Sequence, residues 1–283
     1  MKVVAFETNG KSRYGVLKDD GIVEPDQSLL ARCPDVRALL EQQALPALAS
    51  ATEGGKPTLM LMGAKLLPCV QNPKKVFCVG LNYKSHVSET KRPDADHPSI
   101  FMRFADSLTG HDQPMLMPFH LSKMIDFEGE LAVIIGEAGR NIAQSDASSH
   151  IAGYTCFNDG TVRDWQRHTH QWGPGKNFPN TGALGPALVT ADEVGNLDKV
   201  NLTTRLNGEV MQQASLADLI FSIPLIIEYL STFTPLSAGD VIATGTPGGV
   251  GDRRQPPVYM KAGDVVEVEI TRVGTLRNVV TAA

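Results

Sequence analysis

The sequence predicts an α+β protein with a mainly β core. Three observations carry that reading. Short apolar, β-branched runs recur along most of the chain, at residues 75–79, 100–104, 131–135, 153–158, 200–206, 241–244 and 265–270. They do not alternate with helical segments as βαβ units would, and no repeat of solenoid length is present. The 131–135 run is apolar at every position, as expected of a strand buried on both faces.

Taken in order, residues 2–6 and 12–17 read as a β-hairpin around Asn9-Gly10, with a third short strand near residues 21–24. Residues 36–49 have helical character, with Leu39, Leu40 and Leu45 as apolar contacts. Residues 68–73, bounded by Pro68 and Pro73, read as a linker. The expected division is therefore a small N-terminal domain over residues 1–70 and a larger domain over 71–283. Two of the later strands follow the same turn, Ala238-Gly239-Asp240 and Ala262-Gly263-Asp264. One clear helix follows Ser222, a good N-cap, with Pro224 in its first turn and Leu225, Ile226, Tyr229 and Leu230 on its apolar face.

Composition narrows the class. The chain has 283 residues, 42% hydrophobic and 20% charged, which suits a folded globular protein with a substantial core. Its net charge of −5 gives no electrostatic case for nucleic acid or an anionic membrane. The four cysteines (33, 69, 78 and 156) lack C-x-x-C spacing and are expected to be reduced thiols. Glu7 interrupts the opening residues before a signal-peptide core can form. No segment reaches the roughly 18 consecutive apolar residues of a membrane helix. A soluble, cytoplasmic protein is the expectation.

The chemistry begins at Glu128 and Glu130. Residues two apart on a strand share a face, so these carboxylates stand side by side at the mouth of a buried strand. Leaving both ionised and unpaired would cost several kcal/mol, on the order of any buried-ion penalty. A divalent cation removes that penalty, and carboxylate oxygens suit Mg²⁺, Mn²⁺ or Ca²⁺. Asp159 falls where the strand ending at Asn158 breaks at Gly160, well placed to become a third oxygen ligand or to cap the turn after it.

Four segments then carry a resemblance. Gly153 to Gln166 reads G-Y-x-x-x-N-D-x-x-x-R-D-x-Q, and Asp126 to Leu131 reads D-x-E-x-E-L. Gly80 to Glu89 reads G-x-N-Y-x-x-H-x-x-E, and Gly239 to Gly251 reads G-D-x-I-x-T-G-T-P-x-G-x-G. In their order along the chain, over about residues 75 to 251, they resemble the fumarylacetoacetate hydrolase family, in its acylpyruvase and 2-hydroxymuconate isomerase-like branch. The resemblance implies a mixed β-sandwich roll with the family's C-terminal-like fold, one bound Mg²⁺ or Mn²⁺, and a homodimer.

Carried over by position, the metal ligands implied are Glu128, Glu130 and Asp159. Lys176, in Gly173-Pro-Gly-Lys, corresponds to a family lysine that would bond an anionic substrate oxygen; the P-loop pattern is not met. His86 and Glu89, spaced i, i+3 and so neighbours on one helical turn, resemble a water-activating dyad on a lid. Arg163 and Gln166 match positions facing the site, and an ion pair of Arg163 with Asp164 or another acid is an equal expectation. Gly245 and Thr246 lie in a Gly-rich turn able to hold a carboxylate, and Arg103 is a candidate for a second substrate carboxylate. His168 and His170 match nothing in the family pattern.

The reaction implied is metal-dependent hydrolysis of a C–C bond in a 3-acylpyruvate, a β-diketo acid of aromatic catabolism, through a metal-bound enolate. The His86–Glu89 pair favours hydrolysis, because isomerisation needs no activated water. The alternative is isomerisation or decarboxylation of a 2-oxo or 2-hydroxymuconate diacid of the oxaloacetate type. A non-catalytic, metal-stabilised binding protein is the third reading, and a serine hydrolase is unsupported because no G-x-S-x-G elbow is present. The partner expected is a small 2-oxo acid, its acyl group chosen by loops such as residues 91–98 and 105–123.

Overall fold

The computed structural model describes residues 1–19, 21–91 and 95–283, so part of the 91–98 loop lies outside the described residues. Two β-sheets pack face to face around one core. The larger runs in the order Leu59–Met60, Gly21–Val23, Lys11–Lys18, Lys2–Thr8, Gly182–Thr190, Ile151–Asn158, Gly129–Ile135, Val241–Ala243, Val76–Gly80, Ser99–Arg103. Along this order the neighbours are antiparallel except Val241–Ala243 against Val76–Gly80, and off it Leu108–Thr109 pairs parallel with Gly182–Thr190. The second sheet orders Glu209–Ser215, Asn201–Leu206, Val265–Ile270, Gly274–Ala282 and Met115–Met117. This is the mixed, strand-rich α+β architecture expected from the sequence.

The strand Gly129–Ile135 shows why its run is apolar throughout. Leu131, Val133 and Ile135 pack toward the second sheet with Leu202, Val268 and Leu276. Ala132 and Ile134 point the other way, into a cluster with Leu39, Leu40 and Leu48. The N-terminal helices thus cover the outer face of the central strands, which period-2 alternation requires once both faces are closed. Gly129 marks a close approach between the sheets: a Cβ there would lie 2.0 Å from Thr204 Oγ1.

The hairpin expected at the start is present, and Asn9 and Gly10 take the positive φ of 50° and 70° that a tight two-residue turn needs. Its first strand also pairs with Gly182–Thr190, so the large sheet runs continuously across residue 70. The segment 36–49 forms two helices, Val36–Glu41 and Leu45–Thr52, separated where Gln43 turns to φ 50°. The helix after Ser222 spans Ile223–Phe233, with Ile223, Ile226, Ile227 and Leu230 buried and Leu225 and Tyr229 half-buried.

Several elements escape sequence reading. Gly182–Thr190 is the longest central strand neighbour of the site, yet it carries Gly185 and Pro186 in its interior. The register shifts here, with Tyr154 opposite Val189 and Cys156 opposite Gly185, so the extra residues of a bulge lie in this strand and hold the proline that cannot donate to the ladder. Glu209–Ser215 and Gly274–Ala282 are polar or interrupted runs whose strand character comes from their neighbours. No helix among the described residues is long and apolar enough to cross a membrane.

Candidate active site

Strand register builds the carboxylate cluster. Gly129–Ile135 pairs antiparallel with Ile151–Asn158, placing Gly129 opposite Asn158. Asp159, one residue beyond, therefore meets Glu128: its N–H donates to the Glu128 carbonyl at 2.8 Å, and Asn158 Oδ1 accepts the Glu128 N–H at 3.0 Å. Glu128, Glu130 and Asp159 are all buried, with one carboxylate oxygen of each within 4.8 Å of the others.

Three buried cations face this cluster. Lys176 Nζ donates to Glu128 Oε2 at 2.7 Å and to Asp159 Oδ2. Arg163 Nη1 lies 2.7 Å from Glu128 Oε1, while its Nε donates to Asp126 Oδ2 at 2.8 Å. Arg103 Nη1 donates to Asp159 Oδ1 at 2.6 Å. Among the described residues Glu130 has no such ion pair; its Oε2 accepts the Gly245 N–H at 2.8 Å. Burial would raise the Glu128 carboxyl, but Lys176 and Arg163 overcome it and hold that group well below the usual range. For Glu130, burial and then the Asp159 and Glu128 charges push the carboxyl far upward.

That imbalance tests the fit of a metal. A buried carboxylate with like charges beside it and no ion pair of its own is where a hard divalent cation stabilises most. Glu128, Glu130 and Asp159 would hold it, and the donor set, all oxygen, matches Mg²⁺ or Mn²⁺ chemistry.

A cavity of about 370 Å³ opens over the cluster, lined by His86, Glu128, Glu130, Arg163, Gln166 and Lys176 among others. His86 sits on the helix Lys84–Thr90, and its Nδ1 lies 2.6 Å from Glu89 Oε1. The i, i+3 expectation is met, and among the described residues Nε2 has no hydrogen-bond partner. The Gly-rich turn anchors this helix: Gly248 N–H donates to Ser85 Oγ at 3.1 Å and Gly249 N–H to Glu89 Oε2 at 2.8 Å. Asn82 ties the preceding loop to the Thr244 carbonyl at 2.8 Å.

The structure gives two predicted substrate contacts other positions. Arg103, expected to meet a second substrate carboxylate, lies behind Asp159 rather than on the cavity wall. Its remaining donors bond Ser107 Oγ, the Gly160 carbonyl and Thr181 Oγ1. Gly245 directs its N–H at Glu130 instead of into the cavity. Thr246 lines the cavity, with its hydroxyl donating to the Gly129 carbonyl and accepting from Gln212. Arg163 also lines it and donates to Gln166 Oε1 at 3.1 Å; its acidic partners are Asp126 and Glu128, not Asp164. His170 lines the cavity, whereas His168 packs on Trp165 at 4.9 Å.

Sequence reasoning passed over Asp126, Gln212, Arg167, Asp252 and Arg253. Asp126 opens the D-x-E-x-E-L run and could have been noticed there. It accepts the N–H groups of Gly251 and Asp252 at 2.8 and 2.9 Å. Gln212 had no local signal: its contacts with Gly129 and Thr246 exist only because two sheets meet.

Residues 75–281 match the fumarylacetoacetate (FAA) hydrolase C-terminal family. The chain belongs to the fumarylacetoacetate hydrolase family. It is 38% identical to the mitochondrial oxaloacetate tautomerase fahd2 of Xenopus laevis, over 98% of this chain and 89% of that protein. The fold matches a fumarylacetoacetate hydrolase from the psychrophile Exiguobacterium antarcticum with a TM-score of 0.83, 32% identity and complete coverage of both chains. It also matches the maleylpyruvate hydrolase of Sphingobium sp. SYK-6 in complex with manganese(II) and pyruvate, with a TM-score of 0.83, 26% identity and complete coverage of both chains. Enzymes of this family thus include both isomerases and hydrolases, and a manganese ion is bound in one of the relatives.

Proposed function

We propose that this enzyme is a metal-dependent tautomerase that interconverts the keto and enol forms of a small 2-oxo diacid of the oxaloacetate type. The observation that carries the reading is one cavity in which an oriented histidine faces a three-carboxylate cluster. The full-length similarity to an oxaloacetate tautomerase supports it over the C–C hydrolysis expected first from the sequence.

The bound cation, Mg²⁺ or Mn²⁺, supplies Lewis-acid stabilisation of the charge that develops on a 2-oxo oxygen. The chain supplies the rest. His86 Nε2, with Nδ1 held by Glu89, takes the proton from C3 and delivers it to the 2-oxo oxygen to give the enol, the reverse path regenerating the ketone, and the Glu89 carboxylate stabilises the imidazolium in between. Lys176, fixed among Glu128 and Asp159, places positive charge beside the site of developing negative charge. Trp172 and Phe101, with ring centroids 5.4 Å apart, form an apolar wall that limits water access.

The His86–Glu89 geometry also favours a second reading, hydrolysis of a 3-acylpyruvate, because a nitrogen able to take a proton from C3 can take one from water. Product analysis by NMR separates them. With oxaloacetate in D₂O, tautomerisation gives accelerated C3 deuteration and enol–keto equilibration with no new carbon skeleton. Turnover of acylpyruvates to pyruvate without any acceleration of oxaloacetate exchange would overturn the tautomerase reading. A homodimer, as the family resemblance implies, would cover the exposed Met102 and Phe104 beside the site, and light scattering in solution tests it.

A further inference from the structure

We infer that Arg253 is the ligand for the distal carboxylate of a dicarboxylic substrate, and that it sets the preference for 2-oxo diacids over 2-oxo monoacids. The inference deepens the reading of the same cavity as a 2-oxo acid site and rests on it.

The cavity is strongly asymmetric in charge. At its floor, Glu128 and Glu130 lie with Lys176 and Arg163, Asp159 and its partner Arg103 standing just behind them, and this is the end suited to the 2-oxo carboxylate. At its rim, Arg167 and Arg253 flank a single acid, Asp252. Asp252 is already engaged: it accepts from Arg167 Nη2, and its Oδ1 accepts the Tyr259 hydroxyl at 2.9 Å. Among the described residues the rim therefore carries one more cation than anion and faces the same 370 Å³ space.

Of the arginines there, Arg253 alone has its fork uncommitted among the described residues. Its Nε lies 3.4 Å from Asp252 Oδ2, and its two terminal nitrogens make no hydrogen bond or ion pair. The neighbouring Arg254 is held by the Gly249 carbonyl at 3.2 Å and the Met211 carbonyl at 2.6 Å, so it is a structural clamp. A planar guanidinium anchored through Nε presents the two-donor edge that suits a carboxylate.

Its position is also fixed relative to the floor. Arg253 ends the short turn Gly251–Arg253, whose first two N–H groups bond Asp126, and Asp126 is paired with Arg163, which contacts Glu128. Floor and rim are thus connected by three charged side chains in sequence. Arg103, the sequence-level candidate for this role, is buried away from the cavity. Arg253 takes its place.

The test is calorimetric binding to the Mg²⁺-loaded protein of oxaloacetate and of its 4-ethyl ester, which lacks the distal charge. Wild type is expected to prefer the free diacid by about tenfold to a hundredfold, the size of a charge-assisted hydrogen-bonded pair. Arg253→Gln should remove that preference by weakening the diacid alone, and Arg253→Lys should keep part of it. In kinetics, Arg253→Gln should raise KM for the diacid with kcat little changed. Equal weakening of both ligands, or an unchanged preference, would overturn the assignment. If wild type binds both compounds with the expected preference but catalyses no exchange, the tautomerase reading fails while the Arg253 assignment stands. Absence of binding by either compound would overturn both.

Discussion

Lys176 and Glu128 form a buried ion pair, Nζ to Oε2 at 2.7 Å, and the same ammonium reaches Asp159. One cation thus holds together two carboxylates that come from different strands. Replacing it with a methionine of similar reach leaves those charges short of a partner. Breaking a buried pair from one side typically costs about 3–5 kcal/mol. Lys176→Met should therefore lower stability in EDTA by that order and recover part of it in Mg²⁺. Urea unfolding under the two conditions checks this, and an equal loss in both would reduce Lys176 to a packing role.

Glu130 predicts the pH dependence. Its folded carboxyl is raised by burial and by the Asp159 and Glu128 charges, so the metal-free protein holds a proton there that the unfolded chain releases. The stability this contributes is present below the ordinary glutamate value and is lost as pH rises through the raised folded one. Metal binding needs the carboxylate and expels that proton, so Mg²⁺ affinity should increase with pH across the same window. Titration calorimetry in buffers of different ionisation enthalpy measures the released proton. Affinity independent of pH would count against Glu130 as a ligand.

Glu128→Gln and Asp159→Asn should each remove the Mg²⁺-induced rise in melting temperature and lower turnover by more than about a hundredfold. EDTA treatment of wild type should do the same, reversibly on adding Mg²⁺. Full activity in metal-stripped protein would end the metal-dependent reading.

His86→Ala should slow C3 deuteration of oxaloacetate by about a hundredfold to ten-thousandfold, the range for loss of a general acid–base group. Glu89→Gln should have a smaller effect, because Nδ1 keeps a hydrogen-bond partner while the imidazolium loses its counter-ion. NMR exchange rates on both variants decide the matter. An unaffected rate in His86→Ala would transfer the proton step to another group.

Gly129→Ala should destabilise the fold by about 1–3 kcal/mol through overpacking, since its Cβ would meet Thr204 Oγ1 at 2.0 Å. Because Glu128 and Glu130 flank it, metal affinity should fall too. Adding Thr204→Ala should restore part of both, as measured by denaturant midpoint and metal titration.

The site was legible in sequence where its residues lie close along the chain or in a motif. Glu128, just before the strand Gly129–Ile135, and Glu130 within it are spaced two apart, and His86 and Glu89 share a helical turn, so local spacing brought each pair together. The D-x-E-x-E-L and N-D elements then pointed to Asp159, which the strand register places beside Glu128. Arg103 shows the limit: a cationic side chain on a strand suggests a substrate contact, and only the crossing of Asp159 and Thr181 over it reveals that its donors are engaged internally. The strand Gly182–Thr190 shows another, because a proline within a run lowers strand propensity and only a bulge in its pairing with Ile151–Asn158 accommodates it.

By itself the sequence determined the local order: which runs become strands, which glutamates share a face, and which residue types wait at the strand ends. Those properties follow from side-chain periodicity and turn chemistry within a few residues. Only the tertiary structure decided which charges neutralise one another and which remain free for a ligand. That choice depends on burial and on distances between segments far apart in the chain, as between Glu128 and Lys176 or Asp126 and Gly251. It is also what turned Arg103 into internal support for Asp159 and left the terminal nitrogens of Arg253, among the described residues, without a partner at the cavity rim.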